Sequence, residues 1–172
     1  LKTFPEEIQK QKTRIAALQQ DSQIAAAHPQ DKENFCGMTI KGMVYDDKKA
    51  AGERLLLARQ EMPNADMMLL GTYRGFELNI RFDSFKNEHQ AVLRAELSYP
   101  VSLGDDARGN ITRLDNAIDN FADRIADAEN ALQNLEQQKQ AAEVEVAKPF
   151  AQEEELAEKS ARLAELNALL NI

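Results

Sequence analysis

The chain of 172 residues contains no tryptophan and a single cysteine, Cys36, and only 6% of its residues are aromatic. One cysteine excludes an internal disulfide and is typical of a protein from a reducing compartment, so a cytoplasmic location is expected. Because Cys36 lies beside Phe35 and Met38, we expect its side chain to be a small buried hydrophobe rather than a nucleophile.

Long apolar runs are also missing. No stretch approaches the roughly 18 apolar residues that a membrane-spanning helix needs, so no membrane partner is expected. The formal net charge of -8 argues against nucleic-acid binding over the whole surface, although a local basic face stays open. Nothing at the N-terminus resembles a signal peptide, and a chain that begins at Leu1 without methionine is expected to be a piece of a larger protein.

Sequence motifs of catalysis are absent as well. There is no phosphate-binding GxxxxGK[ST] loop and no GxGxxG turn after a predicted strand. The two histidines, His28 and His89, have no partners at the spacing of metal ligands. We therefore predict no catalytic residue, no metal site and no cofactor, and we do not expect this chain to be an enzyme by itself.

The most informative pattern present is a run of apolar residues at heptad spacing, which is typical of a helix that packs on another helix. Its members are Ile111, Leu114, Ile118, Phe121, Ile125, Ala128, Leu132 and Leu135. Because residues 110–146 include neither glycine nor proline, the pattern predicts one helix of roughly 55 Å. A first helix from Phe4 to about Ala27 is predicted to run antiparallel to it.

Between these helices the apolar residues alternate at period two, as they do in strands. The pattern predicts a strand around residues 38–45, a helix at 48–61 capped by Asp46-Asp47, two hairpin strands at 67–73 and 76–82, and a long strand from Ala91 to Tyr99 that ends at Pro100. The predicted class is α+β: an antiparallel two-helix coiled-coil stalk with an inserted small β-α-β-β-β head and a C-terminal helix.

The predicted division of the chain follows from these elements. Residues 1–30 are the first stalk helix, 31–106 the α+β head, 107–147 the long second stalk helix and 148–172 the C-terminal helix. Two breaks bound these helices: Pro63-Asn64 ends the head helix, and Lys148-Pro149-Phe150 interrupts the long one, because proline removes a hydrogen bond from a helix.

Two features of the head are candidates for binding. The segment 71–76 (GTYRGF) places Tyr73 and Arg74 at a hairpin tip, where such a pair could contact nucleic acid or protein; alternatively, the turn is structural and Tyr73 and Phe76 pack in the core. Cations could also line one face of the head, although neighbouring carboxylates could make it a mixed solvated surface. These cations are Lys41, Lys48, Lys49, Arg54, Arg74, Arg81 and Lys86.

Five segments of the sequence resemble one family of proteins. They are residues 35–42 (FCGMTIKG), 45–52 (YDDKKAAG), 71–76 (GTYRGF), 109–116 (GNITRLDN) and 148–150 (KPF), the last followed by a leucine-bearing helix. In this order they resemble a region of very large bacterial proteins carried on conjugative elements. Those proteins combine a superfamily 2, SNF2-like helicase with an N-6 adenine DNA methylase region.

The resemblance implies a non-catalytic accessory region, because none of the family's ATP-binding or methyl-transfer motifs occurs here. The expected function is a structural and interaction domain of a mobile-element DNA helicase or methylase, whose head contacts DNA or a protein partner. The expected partners are the remainder of that helicase or methylase and DNA. The alternative is a coiled-coil oligomerisation module that self-associates through its heptad stripes and makes no contact with nucleic acid.

Overall fold

A computed structural model describes residues 3–31, 33–62 and 67–170 of the protein, with the backbone alone for residues 148–155 and 169–170. Over these residues the chain forms four helices and six strands. The helices are α1 (Phe4–Ala27), α2 (Lys48–Glu61), α3 (Ala107–Ile118) and α4 (Phe121–Leu170). The strands are β1 (Met38–Ile40), β2 (Met43–Tyr45), β3 (Met68–Tyr73), β4 (Phe76–Asp83), β5 (Glu88–Arg94) and β6 (Ser98–Ser102).

The chain divides into two compact units. The sheet unit, Lys12–Glu129, contains all six strands, and the helical unit takes in the chain before Lys12 and after Glu129. No helix among the described residues is both long and apolar enough to cross a membrane. The predicted four-part division of the chain, with its two-helix stalk, stays a prediction.

The six strands form one sheet in the order β2-β1-β3-β4-β5-β6, and every neighbouring pair is antiparallel. The predicted α+β class is therefore confirmed, whereas the predicted number of four strands is wrong. The segment 38–45 is a hairpin rather than one strand, because Lys41 and Gly42 have φ angles of 50° and 82° and make a tight turn.

The predicted long strand from Ala91 to Tyr99 is also two strands, β5 and β6. These strands pair antiparallel, so the chain reverses at residues 95–97. In this turn the N–H groups of Glu96 and Leu97 donate to the carboxylate of Asp21 in α1. Pro100, expected to end the strand, lies inside β6. β6 is an edge strand, and edge strands tolerate proline because one side of the strand forms no ladder.

The helix α2 has the bounds that the sequence predicts. Its N-cap is Asp47, whose carboxylate accepts a hydrogen bond from the N–H of Ala50 at 3.0 Å. One face, which includes the fully buried Ala51, Leu55 and Ala58, packs in the core. The predicted stop at Pro63-Asn64 lies outside the described residues.

The long helix differs from the prediction at two points. It is broken between Ile118 and Phe121, where the backbone of Asp119 ends α3 and the carbonyl of Asn120 accepts the N–H of Arg124 in the first turn of α4. In contrast, α4 continues through Pro149, so the predicted interruption there is wrong. One interior proline costs about 3 kcal/mol, and the surrounding alanine, glutamate, glutamine and leucine residues strongly favour helix.

The core of the sheet unit lies between one face of the sheet and the helices. Alternate residues of β4 and β5, such as Leu78 and Leu93, are buried together with Leu55 of α2 and with Ile111 and Leu114 of α3. The helices α2 and α3 approach so closely that a Cβ atom on Gly52 would lie 2.1 Å from the carbonyl oxygen of Ala107. Only glycine fits at this crossing.

Candidate functional site

The predicted binding tip is the turn between β3 and β4. Arg74 and Gly75 have φ angles of 48° and 82°, the pattern of a two-residue turn that suits the twist of a hairpin. The turn packs against the end of α1, since a Cβ atom on Gly75 would lie 2.6 Å from Nδ1 of His28. The hairpin was predicted correctly, but its tip faces protein rather than solvent.

The guanidinium of Arg74 joins three elements through hydrogen bonds. Its Nε donates to the carbonyl of His28 just beyond α1 at 2.8 Å, its Nη1 to Asp115 of α3 at 3.2 Å, and its Nη2 to Asp119 at 2.7 Å. The hydroxyl of Tyr73 also donates to Asp115, at 2.5 Å. Because α1 and α3 both end here, the cation also lies where two helix dipoles favour positive charge.

The electrostatics of this polar cluster agree with a structural role. The pKa of Tyr73 is raised far above its ordinary value. Burial is the largest cause, and the hydrogen bond to Asp115 is the next. Burial also raises the pKa of Asp115, although Tyr73 and Arg74 oppose the shift. Burial alone would lower the pKa of Arg74, but the hydrogen bonds and charges of Asp119 and Asp115 outweigh it and raise the pKa.

The exposure of these side chains decides between the two interpretations of the segment 71–76. As whole residues, Tyr73 is 1% exposed, Arg74 6% and Phe76 1%. The expectation that Tyr73 and Arg74 are displayed at the tip is therefore wrong, because neither can reach a partner in this arrangement. The alternative holds: Tyr73 and Phe76 pack in the core, and Arg74 fastens the turn to the helices.

The structure does not bring the other six candidate cations together. Lys41 and Lys86 lie at the end of the sheet that carries the β1–β2 and β4–β5 turns. Lys48 and Lys49 begin α2 at the opposite end, after β2 has run back towards the β3–β4 turn. Arg81 points to the face of the sheet opposite the helices, since it alternates with Ile80, which is fully buried in the core.

Most of these cations have partners on the protein. Arg54 donates to both carboxylate oxygens of Glu61 at 3.0 and 3.1 Å, and Lys41 lies 3.8 Å from the same carboxylate. The remaining pairs join Lys48 Nζ to Thr112, Lys49 to Glu53 and Arg81 Nε to Gln90. Lys86 is exposed and forms no salt bridge with a carboxylate among the described residues.

Sequence reasoning missed a second buried polar cluster, centred on Asp21. This carboxylate of α1 is 0% exposed and accepts from the N–H groups of Glu96 and Leu97 and from the hydroxyl of Tyr99 at 2.5 Å. The guanidinium of Arg124 lies over the Tyr99 ring, 4.9 Å from its centroid. The signal available in the sequence was an aspartate three residues after Leu18, at the spacing that puts two residues on one face of a helix.

Sequence reasoning also missed Phe85, at the tip of the β4–β5 hairpin. Its side chain is 101% exposed, as open as in an extended peptide. The turn itself is ordered by Asp83, whose Oδ1 accepts the N–H of Phe85 at 3.0 Å and of Lys86 at 3.4 Å. The signal was a phenylalanine between two predicted strands, where no apolar face needs it.

Cys36, expected to be buried, is exposed and lies at a pocket of about 280 Å³. The pocket lies between the end of α1 and strands β1–β3, and its lining includes His28, Thr39 and Thr72. The pKa of the Cys36 thiol is raised. Partial burial of the side chain is the largest cause, and the negative charge of Asp115 is the next. Such a thiol stays protonated near neutral pH and is not activated for nucleophilic attack.

Among the described residues, no three histidine, cysteine, aspartate or glutamate side chains are grouped so that they could hold a metal ion. Comparison with protein-family models, curated proteins and solved structures finds no match to this chain.

Proposed function

We propose that this chain is a non-catalytic structural and interaction domain of a bacterial mobile-element DNA helicase or DNA methylase that acts in the cytoplasm. The structural role in this proposal is supported by the hydrogen bonds that the buried charged side chains of the sheet unit form. Arg74 and Asp21 each join a helix to a strand connection, and both have their hydrogen-bonding groups occupied by protein. Two side chains used in this way position elements of the fold and are not available as an acid or a base for catalysis.

The contact with DNA is proposed for the end of the sheet that carries the β1–β2 and β4–β5 turns. Lys41 has a side chain that is 45% exposed, and its only carboxylate partner in the described residues is Glu61 at 3.8 Å. Lys86 has none. An exposed salt bridge of this kind contributes only about 0–1 kcal/mol to the free energy of unfolding. The ammonium group can therefore leave the carboxylate and bind a phosphate instead.

Fluorescence anisotropy tests this function directly. The chain is titrated against single-stranded, duplex and forked DNA over a salt series, with Lys41→Ala/Lys86→Ala as the test variant and Lys48→Ala/Lys49→Ala as the matched control. The test variant should weaken binding and reduce the salt slope by about 0.7–0.9 per lost phosphate contact, and the control should not. No binding by the parent chain at low salt would refute the proposed contact.

The alternative function, self-association, is favoured by one feature of α4. Leu156, Leu163 and Leu166 are 66%, 64% and 57% exposed, and their spacing of seven and three residues puts them on one stripe. Leu163→Lys should abolish any concentration-dependent increase in mass during sedimentation, whereas Ala161→Lys off the stripe should not. A parent chain that sediments as a monomer at every concentration would eliminate this alternative.

The predicted coiled-coil stalk belongs to the same proposal. Within the sheet unit, Leu18 of α1 shares a core cluster with Phe121 and Ala128 of α4. Phe121 and Ala128 belong to the heptad run, and the sequence predicts that α1 pairs with the helix that carries this run. An antiparallel pair of this kind would give the domain a rigid connection to the remainder of its protein.

A further inference from the structure

The β4–β5 hairpin tip is built around the one fully exposed aromatic side chain in the described part of the chain. Phe85 is flanked by the polar residues Ser84, Lys86 and Asn87, all of them exposed. Burying a phenylalanine side chain stabilises a folded protein by about 1.5–3 kcal/mol, and Phe85 makes no such contribution. Nothing in the hairpin requires a ring at this position. An exposed ring of this kind is available to a ligand.

The tip is preorganised rather than loose. Asp83 accepts two backbone N–H groups of the turn through Oδ1, and its Oδ2 accepts a hydrogen bond from Gln90 at 3.4 Å. Asn87 takes the left-handed conformation with φ 52°, which closes the turn. Below it the rings of Phe82 and His89 are in contact, with centroids 5.1 Å apart. The turn is therefore already ordered in the folded protein, so little conformational entropy is lost when a partner binds Phe85.

Lys86 supplies a cation next to the ring, in a hairpin that also carries two carboxylates. The carboxylates of Asp83 and Glu88 are both held by hydrogen bonds to the turn or the sheet, Glu88 by Ser102 Oγ at 2.8 Å. Lys86, adjacent to the ring, has an ammonium group that forms no salt bridge among the described residues. One ring and one neighbouring cation are the elements that bind a base and its phosphate in single-stranded nucleic acid.

We infer that Phe85 stacks on an unpaired base of single-stranded DNA while Lys86 contacts an adjacent phosphate. A protein partner fits the tip less well, because protein interfaces have an apolar centre made of several side chains and Phe85 is alone among polar residues. Duplex DNA fits less well too, since its bases are stacked on each other. The inference rests on the proposed contact with DNA and specifies which form of DNA is bound.

A single-tryptophan variant gives the decisive measurement. The chain contains no tryptophan, so Phe85→Trp places one fluorophore at the tip. Stacking on a base should quench its emission when oligothymidylate is added, and an abasic oligonucleotide of equal length should not. Leu57→Trp on α2, where the native side chain is 51% exposed, is the matched control and should not respond.

Affinity provides the second readout. Phe85→Ser should weaken binding of oligothymidylate about 5- to 150-fold, and Lys86→Ala should reduce the salt slope by about 0.7. Because Phe85 is fully exposed, its variants should unfold at the same urea midpoint as the parent chain.

The outcomes separate the two proposals. If the parent chain binds single-stranded DNA but Phe85→Ser binds equally well and the emission of Phe85→Trp is not quenched, the stacking inference fails and the proposed DNA contact survives. If the parent chain binds no DNA at low salt, both fail. If the emission of Phe85→Trp shifts to shorter wavelength with protein concentration and without DNA, the tip occupies a protein pocket and the stacking inference is refuted.

Discussion

Replacing Arg74 with alanine should destabilise the sheet unit by about 3–4 kcal/mol. The side chain is 2% exposed and its partner Asp115 13%, so the change leaves a nearly buried carboxylate without its cation. Breaking such a buried pair costs about 3–5 kcal/mol. The contact with Asp119 adds little, because that side chain is 57% exposed and solvent screens it.

Arg54→Ala is the matched control for this substitution. Arg54 also binds a carboxylate through two nitrogens, but its partner Glu61 is 42% exposed. The expected cost is about 0.2–1 kcal/mol. A difference of about 3 kcal/mol between two arginine-to-alanine variants therefore isolates the effect of burial.

The measurement is urea unfolding followed by tyrosine fluorescence. The three tyrosines of the chain, Tyr45, Tyr73 and Tyr99, all lie in the sheet unit, so their signal reports on that unit. Equal unfolding midpoints for Arg74→Ala and Arg54→Ala would refute the structural role. A loss of DNA affinity in Arg74→Ala with no change in stability would restore the interpretation of Arg74 as a displayed binding residue.

Three further predictions test the packing of the sheet unit. Asp21→Ala should cost about 2–4 kcal/mol in urea unfolding, because three donors lose a fully buried acceptor. Gly52→Ala should cost about 1–3 kcal/mol despite the better helix propensity of alanine, because the new methyl group collides with the Ala107 carbonyl. Burial raises the pKa of Tyr73 and Tyr99, so the unfolded chain releases these protons above pH ~10 while the folded protein keeps them. Stability from these groups is complete below pH ~10 and is lost as the pH rises, and Tyr73→Phe/Tyr99→Phe should flatten this decline.

Each of these predictions has an outcome that contradicts it. An Asp21→Ala variant that unfolds with the parent chain would mean that Glu96 and Leu97 find other acceptors. A Gly52→Ala variant more stable than the parent would show that helix propensity outweighs the close crossing. An unchanged decline of stability at alkaline pH in the double phenylalanine variant would assign that decline to other groups.

The elements set by local interactions were predictable from the sequence. The bounds of α2 follow from an N-cap at Asp47 and from apolar residues at helical spacing, both of which act within one or two turns. The β3–β4 hairpin follows from Gly75, which adopts a left-handed φ without strain. These signals need no knowledge of the remainder of the fold.

The break between α3 and α4 could not be predicted in the same way. The heptad spacing continues through it, from Ile118 to Phe121 and on to Ile125, because both helices bury the same stripe. An apolar pattern indicates which side of the chain is buried and does not indicate a break of two residues between two helices. Asp119 and Asn120 suit a helix end, but they suit an exposed helix surface as well.

The buried charges could not be predicted because their partners are distant in sequence. Arg74 meets carboxylates more than 40 positions away, and Asp21 meets donors more than 70 positions away. Charged residues are mostly exposed in proteins, so composition alone places both at the surface. Only the three-dimensional structure shows that each of these charges has hydrogen-bonding partners, which is why its burial is tolerated.

Three of the five segments on which the proposed relationship to mobile-element helicases and methylases depends have structural roles in this fold. Two of them, 71–76 and 109–116, meet in the structure, where Tyr73 and Arg74 both donate to Asp115. A third, 45–52, supplies the N-cap of α2 and the glycine that lets α2 approach α3. Segments that hold a fold together are poor indicators of its binding surface. A surface for a partner is better sought in exposed side chains than in these buried contacts, and Phe85 at the β4–β5 tip is such a side chain.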